Sequence, residues 1–175
     1  MSNNDYFFLR GESVSDSEPY EYRGCGLEGV FLLNGYETHY HDGERHVIIK
    51  DIDGLHIAIG RHLVLHRKAL SPKEIRFLRR TMKLSQAELA ARLSKTSQSV
   101  ARWEKGISDI PGPAEKLLRV MFLAHCLIHE SDLEIIRQLL VEGLTELDEQ
   151  DELASRPVQF RLEDHWTEIP HKAAA

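Results

Sequence analysis

Residues 84–106 read LSQAELAARLSKTSQSVARWEKG, and this stretch decides the fold. Ser85 is followed three residues later by Glu88, a pair that forms a capping box at a helix start. Thr96 can cap a second helix, which Gly106 ends. The side chains at helical spacing that we expect to face inward are Leu89, Leu93, Val100 and Trp103. The pattern predicts two short helices joined by a tight turn.

Two further helices are predicted to flank this pair. Residues 71–74 combine a capping hydroxyl, a first-turn proline and a carboxylate at the spacing of a helix start. Pro113 opens another helix, which continues through Met121. Four short helices with tight turns predict a helix-turn-helix domain over residues 70–129.

The second of these two helices, which Thr96 caps, has a polar face on the side that does not pack against the other helices. Together with the capping residue, it consists of Thr96, Ser97, Gln98, Ser99, Arg102 and Lys105. Such side chains can bond to base edges and phosphates when a helix enters the major groove. The alternative is an ordinary solvated helix face, which the preceding helix and turn make the weaker interpretation.

From Leu84 to Leu93 and from Val100 to Gly106 the sequence resembles the Xre/Cro family of bacterial DNA-binding domains. The resemblance covers roughly residues 71–121. It implies that Gln86 meets a DNA phosphate from the start of its helix and that Gln98 reads a base.

The chain departs from the pattern of this family in the turn between the two helices. Ser94 stands where a glycine is usual, and Lys95 stands where an apolar residue is usual. We therefore expect Ser94 to adopt an unfavourable backbone dihedral, and Lys95 to bury no more than its aliphatic stem.

Charge is divided unevenly along the chain, whose 175 residues carry a formal net charge of −6. Residues 61–120 hold 14 Lys and Arg against 5 Asp and Glu, a balance of +9, whereas residues 1–60 and 121–175 carry −7 and −8. Local cations and counterion release drive phosphate binding, so the basic centre favours double-stranded DNA as a partner. The acidic flanks favour a different partner.

Several classes of protein are excluded by what the sequence lacks. No run of about 18 apolar residues occurs and the first residues lack the basic region of a signal peptide, so we expect no membrane partner and a cytoplasmic location. Cys25 and Cys126 are too few for a disulfide framework, and Cys126 is predicted to be a core thiol. We expect no enzymatic activity, because there is no glycine-rich nucleotide loop, nucleophile elbow or recognisable carboxylate pair.

Before the helices, the sequence predicts a flexible segment over residues 1–19 and a small β-rich module over residues 20–69. The strand-like runs are Val30–Leu33, Tyr36–His41, Val47–Ile49 and Leu55–Ile59. The turn signals between them are Asn34-Gly35, Asp42-Gly43 and Asp53-Gly54. This alternation predicts an antiparallel meander.

Residues 22–118 resemble the MqsA-type antitoxins, which join an N-terminal zinc-binding module to an Xre-like domain. The matching phrases are Gly43 with Val47, and residues 52–55, which read IDGL. The zinc site of that family uses two CxxC pairs, which fall here on residues 22–25 and 57–60.

Only Cys25 is a cysteine at those four ligand positions, and one thiolate cannot form a structural zinc site. The module is therefore expected to be degenerate, without metal or cofactor, with Tyr22 and Ile57 filling the space. Histidines are a possible substitute: His39, His41, His46, His56, His62 and His66 fall within 28 residues. His39 and His41 share a strand face, but no further ligands follow at a recognisable spacing, so no metal site is predicted.

Residues 130–175 are predicted to form a helix followed by a short strand and a tail. The helix starts at Ser131, and its broad apolar stripe is Ile135, Ile136, Leu139, Leu140, Leu144 and Leu147. That stripe either completes the core or forms a two-fold dimer contact, which we favour. Residues 157–162 alternate as a strand does, and they pair either with the meander of the same chain or with a partner.

The predicted fold is thus α+β: a small N-terminal antiparallel β meander, an all-α helix-turn-helix domain and a C-terminal helical extension. The resemblance implies a dimeric, sequence-specific DNA-binding repressor, the antitoxin of a type II toxin–antitoxin pair that autoregulates its operon and binds a basic toxin. The alternative is a stand-alone Xre-type regulator whose N-terminal module binds a ligand or another protein.

Overall fold

The computed structural model describes residues 19–42, 44–126, 133, 137 and 157–169. Its fold is α+β, as the sequence predicts. The strands are β1 (Tyr20–Glu21), β2 (Val30–Leu32), β3 (Tyr36–His41), β4 (Glu44–Ile49), β5 (Val158–Leu162) and β6 (Trp166–Ile169). The helices are α1 (Ile52–His66), α2 (Pro72–Thr81), α3 (Gln86–Arg92), α4 (Ser97–Glu104) and α5 (Gly112–His125).

The four helices α2 to α5 lie where the capping signals place them. Ser71 and Ser85 each form a complete capping box, with Glu74 and Glu88 respectively. Thr96 Oγ1 accepts a hydrogen bond from the N–H of Ser99 at the start of α4. These side chains satisfy N–H groups that a helix leaves without a partner in its first turn, which fixes each boundary locally.

The predicted strand Leu55–Ile59 and the turn at Asp53-Gly54 are wrong, because both lie inside α1. Leu55, Ile59 and Leu63 are buried at steps of four residues, which is the helical period. Asp51 caps the helix by accepting a hydrogen bond from the N–H of Gly54. A short apolar run such as residues 55–59 fits either element, and the continuation to His66 makes it a helix.

The strands form two sheets rather than one continuous meander. β3 and β4 make a two-stranded antiparallel hairpin at the predicted Asp42 turn. A four-stranded sheet has the order β1-β2-β5-β6. Asn34-Gly35 is therefore not a hairpin turn, since it carries the chain from β2 in one sheet to β3 in the other.

The C-terminal strand pairs with the same chain, which decides between the two alternatives for residues 157–162. β5 lies parallel to β2, with Leu32 opposite Phe160, and β6 turns back antiparallel to β5. Trp166 of β6 is buried, and its Nε1–H donates to the carbonyls of Lys50 and Asp51 at 3.1 and 3.0 Å. The hairpin of β5 and β6 is thereby attached where α1 begins.

α1 is the element on which the rest is assembled, since it packs against α2, α5 and β6. It approaches α5 closely: a Cβ on Gly60 would lie 2.0 Å from Cζ of Phe122. Arg119 of α5 is fully buried, pairs with Glu115, and donates to the carbonyls of Leu63 and Val64 near the end of α1. Cys126 is buried, as predicted for a core thiol.

Three predictions concern residues whose structure is not described. They are the flexible segment over residues 1–19 (of which only Pro19 is described), most of the helix over residues 131–147, and the tail after Ile169. Of that helix, Leu133 and Arg137 are helical and exposed.

Candidate nucleic-acid interface

α3 and α4 form the unit that presents the predicted DNA-contacting residues. Their inward side chains are buried as predicted, with Leu89 and Val100 at 0% exposure and Trp103 at 4%. Ala90 is also buried where the two helices meet. A packed interior of this kind fixes the orientation of α4 relative to α3.

The predicted contact residues divide into two groups. Thr96, Ser97, Gln98, Arg102 and Lys105 are exposed, whereas Ser99 is half-buried. Thr96 Oγ1 and Ser99 Oγ lie 2.9 Å apart, so these two hydroxyls are engaged with each other at the helix start. Within the described part of the chain, Arg102 and Lys105 form no ion pair, which leaves both cations available to a phosphate or a base.

Gln86 takes part in a network inside the domain. Its Nε2 donates to Glu104 Oε2 at 2.9 Å, and Arg79 holds the same carboxylate through two nitrogens. Arg79 also donates to the carbonyl of Leu84 at 2.7 Å. The Gln86 side chain is therefore engaged inside the domain, and its contact with a DNA phosphate stays a prediction.

This network was not found from the sequence, because Arg79 and Glu104 lie 25 residues apart on different helices. Burial raises the pKa of Glu104. The hydrogen bonds from Arg79 and Gln86 lower it by a larger amount, so the pKa of Glu104 is below its ordinary value. The carboxylate is thus ionised and paired. It joins α2, α3 and the end of α4.

The turn between α3 and α4 is built as the sequence predicts. Ser94 has a φ of 53°, in the left-handed region that favours glycine. The N–H groups of Ser94 and Lys95 bond to the carbonyls of Ala91 and Ala90, which closes the C-terminus of α3 as a Schellman motif. Lys95 is exposed.

Exposed cationic side chains are frequent from α2 to α4. Between residues 76 and 105 they are Arg76, Arg80, Lys83, Arg92, Lys95, Arg102 and Lys105. Of the two carboxylates between them, Glu104 is paired with Arg79, and Glu88 accepts capping hydrogen bonds from Ser85 that lower its pKa. The surface carries the cations that a polyanion requires.

At residues 22–25, the first of the two CxxC positions, side chains lie against His56 of α1. Tyr22 is buried and its hydroxyl lies 2.8 Å from His56 Nε2. Burial raises the pKa of Tyr22 to about 12, and it also raises the pKa of the Cys25 thiol. Burial also lowers the pKa of His56. This cluster keeps its groups neutral.

The six clustered histidines separate in the structure. His39, His41 and His46 lie on the hairpin of β3 and β4, while the other three lie on α1. Among the described residues, one group of side chains could hold a metal ion: His62, His66 and Glu168. The sequence spacing did not reveal it, because Glu168 is more than 100 residues away from both histidines.

In the described residues, no helix has the length and apolar character required to cross a membrane.

Comparison with known proteins agrees with the fold of the central segment. Residues 75–115, which run from α2 into α5, match the family model described as helix-turn-helix. Searches of curated proteins and of solved structures found no match. The match to this family supports a DNA-binding transcriptional regulator of the Xre kind. Residues 75–115 thus form a helix-turn-helix of the kind that this family model describes.

Proposed function

We propose that this chain is a sequence-specific DNA-binding repressor that reads its operator with α4. The observation that carries this proposal is the two-sided character of α4. Val100 and Trp103 are buried, while Gln98, Arg102 and Lys105 are exposed in the basic part of the chain, residues 61–120. Gln98 and Arg102 are one turn apart, so both can reach base edges when α4 lies in the major groove.

The remaining contacts position the protein on the phosphate backbone. Thr96 and Ser97 lie at the start of α4, and the first turn of α3 begins at Gln86, where backbone N–H groups favour an anion. Ser99 is bonded to Thr96, so these two act together at the helix start. Lys105, at the end of α4, adds a charge contact.

We further propose that the repressor acts as a homodimer and is the antitoxin of a type II toxin–antitoxin pair. Two copies would read half-sites about one helical turn, roughly 34–36 Å, apart. Support for the dimer comes from the apolar stripe of the predicted helix after Ser131, which is broad for a surface helix. The acidic balances of residues 1–60 and 121–175, −7 and −8, complement a basic toxin.

A stand-alone regulator that senses a ligand is the second candidate. A cleft of about 220 Å³ lies between the sheet and the start of α2, lined by Val30, His62, Glu74 and Phe160 among others. A small molecule there would contact both the sheet and the helix-turn-helix, which is what a ligand sensor requires.

The test is binding to the DNA directly upstream of the gene for this chain, compared with scrambled DNA across a salt series. We expect specific binding that weakens as the salt concentration rises. Gln98→Ala and Arg102→Ala should each lose about 1–3 kcal/mol of specific binding, because each removes a base-edge contact.

Arg161→Ala is the matched control, since it removes an exposed arginine from β5, outside the helix-turn-helix. It should bind the operator as the parent does. If Gln98→Ala and Arg102→Ala also bind like the parent, α4 is not the reading helix. An operator affinity that changes with a purified neighbouring basic protein supports the antitoxin, and an unchanged affinity favours the stand-alone regulator.

A further inference from the structure

α1 and β6 bring two histidines and one carboxylate to a common point. His62 and His66 lie one turn apart on α1, with ring centroids separated by 5.1 Å. Glu168 Oε2 lies 2.9 Å from His62 Nδ1 and 3.9 Å from His66 Nε2. One potential ligand atom from each of the three side chains lies within 4.8 Å of the others.

These separations are close to those of a metal site. Zinc binds imidazole nitrogen and carboxylate oxygen at about 2.0–2.2 Å, which places tetrahedral ligands roughly 3.3 Å apart. A small movement of the side chains would bring the 2.9 and 3.9 Å distances to that value. His66 and Glu168 can make it, since their side chains are 45% and 35% exposed.

His62 supplies a reason for the site beyond a surface ion pair. Its side chain is 9% exposed, and among the described residues its Nε2 is buried with no hydrogen-bond partner. The other ring nitrogen, Nδ1, faces Glu168, so a buried imidazole directs one ligand atom to the place where the carboxylate and His66 meet.

Glu168 brings its carboxylate to the point where the two imidazoles converge, since the same oxygen, Oε2, faces a ring nitrogen of each histidine.

A cleft of about 300 Å³ leads to these side chains, which gives an ion a path to the site. Its lining includes His62, His66 and Glu168 together with His165 from the turn between β5 and β6. A fourth ligand can therefore come from solvent that enters through this cleft.

We propose that His62, His66 and Glu168 bind one divalent transition-metal ion of the zinc class. Two imidazoles and a carboxylate suit zinc and its neighbours rather than magnesium or calcium, which prefer oxygen ligands alone. The ion would join α1 to β6 and so hold the C-terminal hairpin against the central helix. The site is independent of whether α4 reads DNA, and it differs from the CxxC positions of the MqsA-type module.

The experiment is zinc titration by calorimetry on the untagged full chain after removal of metal with a chelator. We expect one ion per chain and a thermal unfolding temperature that rises with the zinc concentration, because the ion binds the folded state. His66→Gln and Glu168→Gln should each weaken zinc binding about ten-fold or more. Glu168→Gln retains an acceptor for His62, so this variant keeps the contact between β6 and α1.

His46→Gln is the matched control, because it removes an exposed histidine from the separate hairpin of β3 and β4. It should bind zinc like the parent. Absence of saturable binding by the parent would overturn the proposal. So would unchanged binding by both His66→Gln and Glu168→Gln, or an equal loss in His46→Gln, which would place the ion on the hairpin.

Discussion

The helix-turn-helix and the four-stranded sheet are stabilised over very different distances along the chain. In the first, the buried pair of Arg79 and Glu104 joins residues 25 apart. In the second, Asn34 bonds to the backbone of Leu162, 128 residues later. The helical region therefore folds largely from local contacts, whereas the sheet forms only after a long loop is closed.

α1 couples the two regions, because it packs on α2 and α5 on one side and on β6 on the other. Each region also contains one of the two tryptophans, Trp103 in α4 and Trp166 in β6, and both are 4% exposed. Tryptophan fluorescence in Trp103→Phe and Trp166→Phe backgrounds can therefore follow each region separately during unfolding.

The largest expected effect comes from removing the ion pair inside the helical region. Glu104→Ala leaves the Arg79 guanidinium buried without its carboxylate, and the Gln86 amide loses its acceptor. We expect a loss of about 3–5 kcal/mol in the free energy of unfolding, measured in urea. Since α1 couples the regions, both tryptophans should report the same destabilised transition.

The double variant Arg79→Met, Glu104→Leu is the control for this prediction. It removes both charges and fills the space with apolar groups, so it should recover most of the stability lost by Glu104→Ala. If only Trp103 reports the transition, the sheet and α1 are stable without the helix-turn-helix.

A smaller effect is expected at the contact between α1 and α5, which ties the two regions together. Gly60→Ala places a Cβ within 2.0 Å of the Phe122 ring, so the helices must separate. We expect a loss of about 1–3 kcal/mol in the free energy of unfolding. Gly112→Ala is the matched control: a Cβ there meets nothing within 4 Å, and stability should not fall. Equal effects of the two substitutions would contradict the close approach.

The same difference in distance explains which features could be predicted from the sequence. The helix starts at Ser71, Ser85 and Thr96 were predicted correctly, because each cap is made by residues within one turn. The Ser94 dihedral is expected for a different reason, because Ser94 stands where the Xre/Cro family usually has glycine. The face of α4 was predicted to be exposed from its period alone, and what it contacts stays a prediction.

Features that depend on tertiary contacts were missed. Residues 55–59 of α1 are predicted as a strand, since this run fits both periods and Asp53-Gly54 has the composition of a turn. The bond from Gln86 to Glu104 could not be seen before α2, α3 and α4 were packed, and the phosphate contact of Gln86 stays a prediction. The approach of Glu168 to His62 requires β6 to dock on α1, which no local pattern indicates.

The smallest expected effect is a gain confined to the helical region. Ser94 has a left-handed φ of 53°, a conformation that destabilises the folded state by about 1–2 kcal/mol for an L-residue. Ser94→Gly removes that strain but adds freedom to the unfolded chain, so we expect a net gain below about 1 kcal/mol in the free energy of unfolding.

Ala91→Gly, three residues earlier in the right-handed helix α3, should instead lose about 1 kcal/mol. Opposite signs for two glycines so close together would show that the backbone dihedral, and not flexibility of the turn, sets the stability. A loss in both variants would mean that the Ser94 hydroxyl contributes more than its dihedral costs.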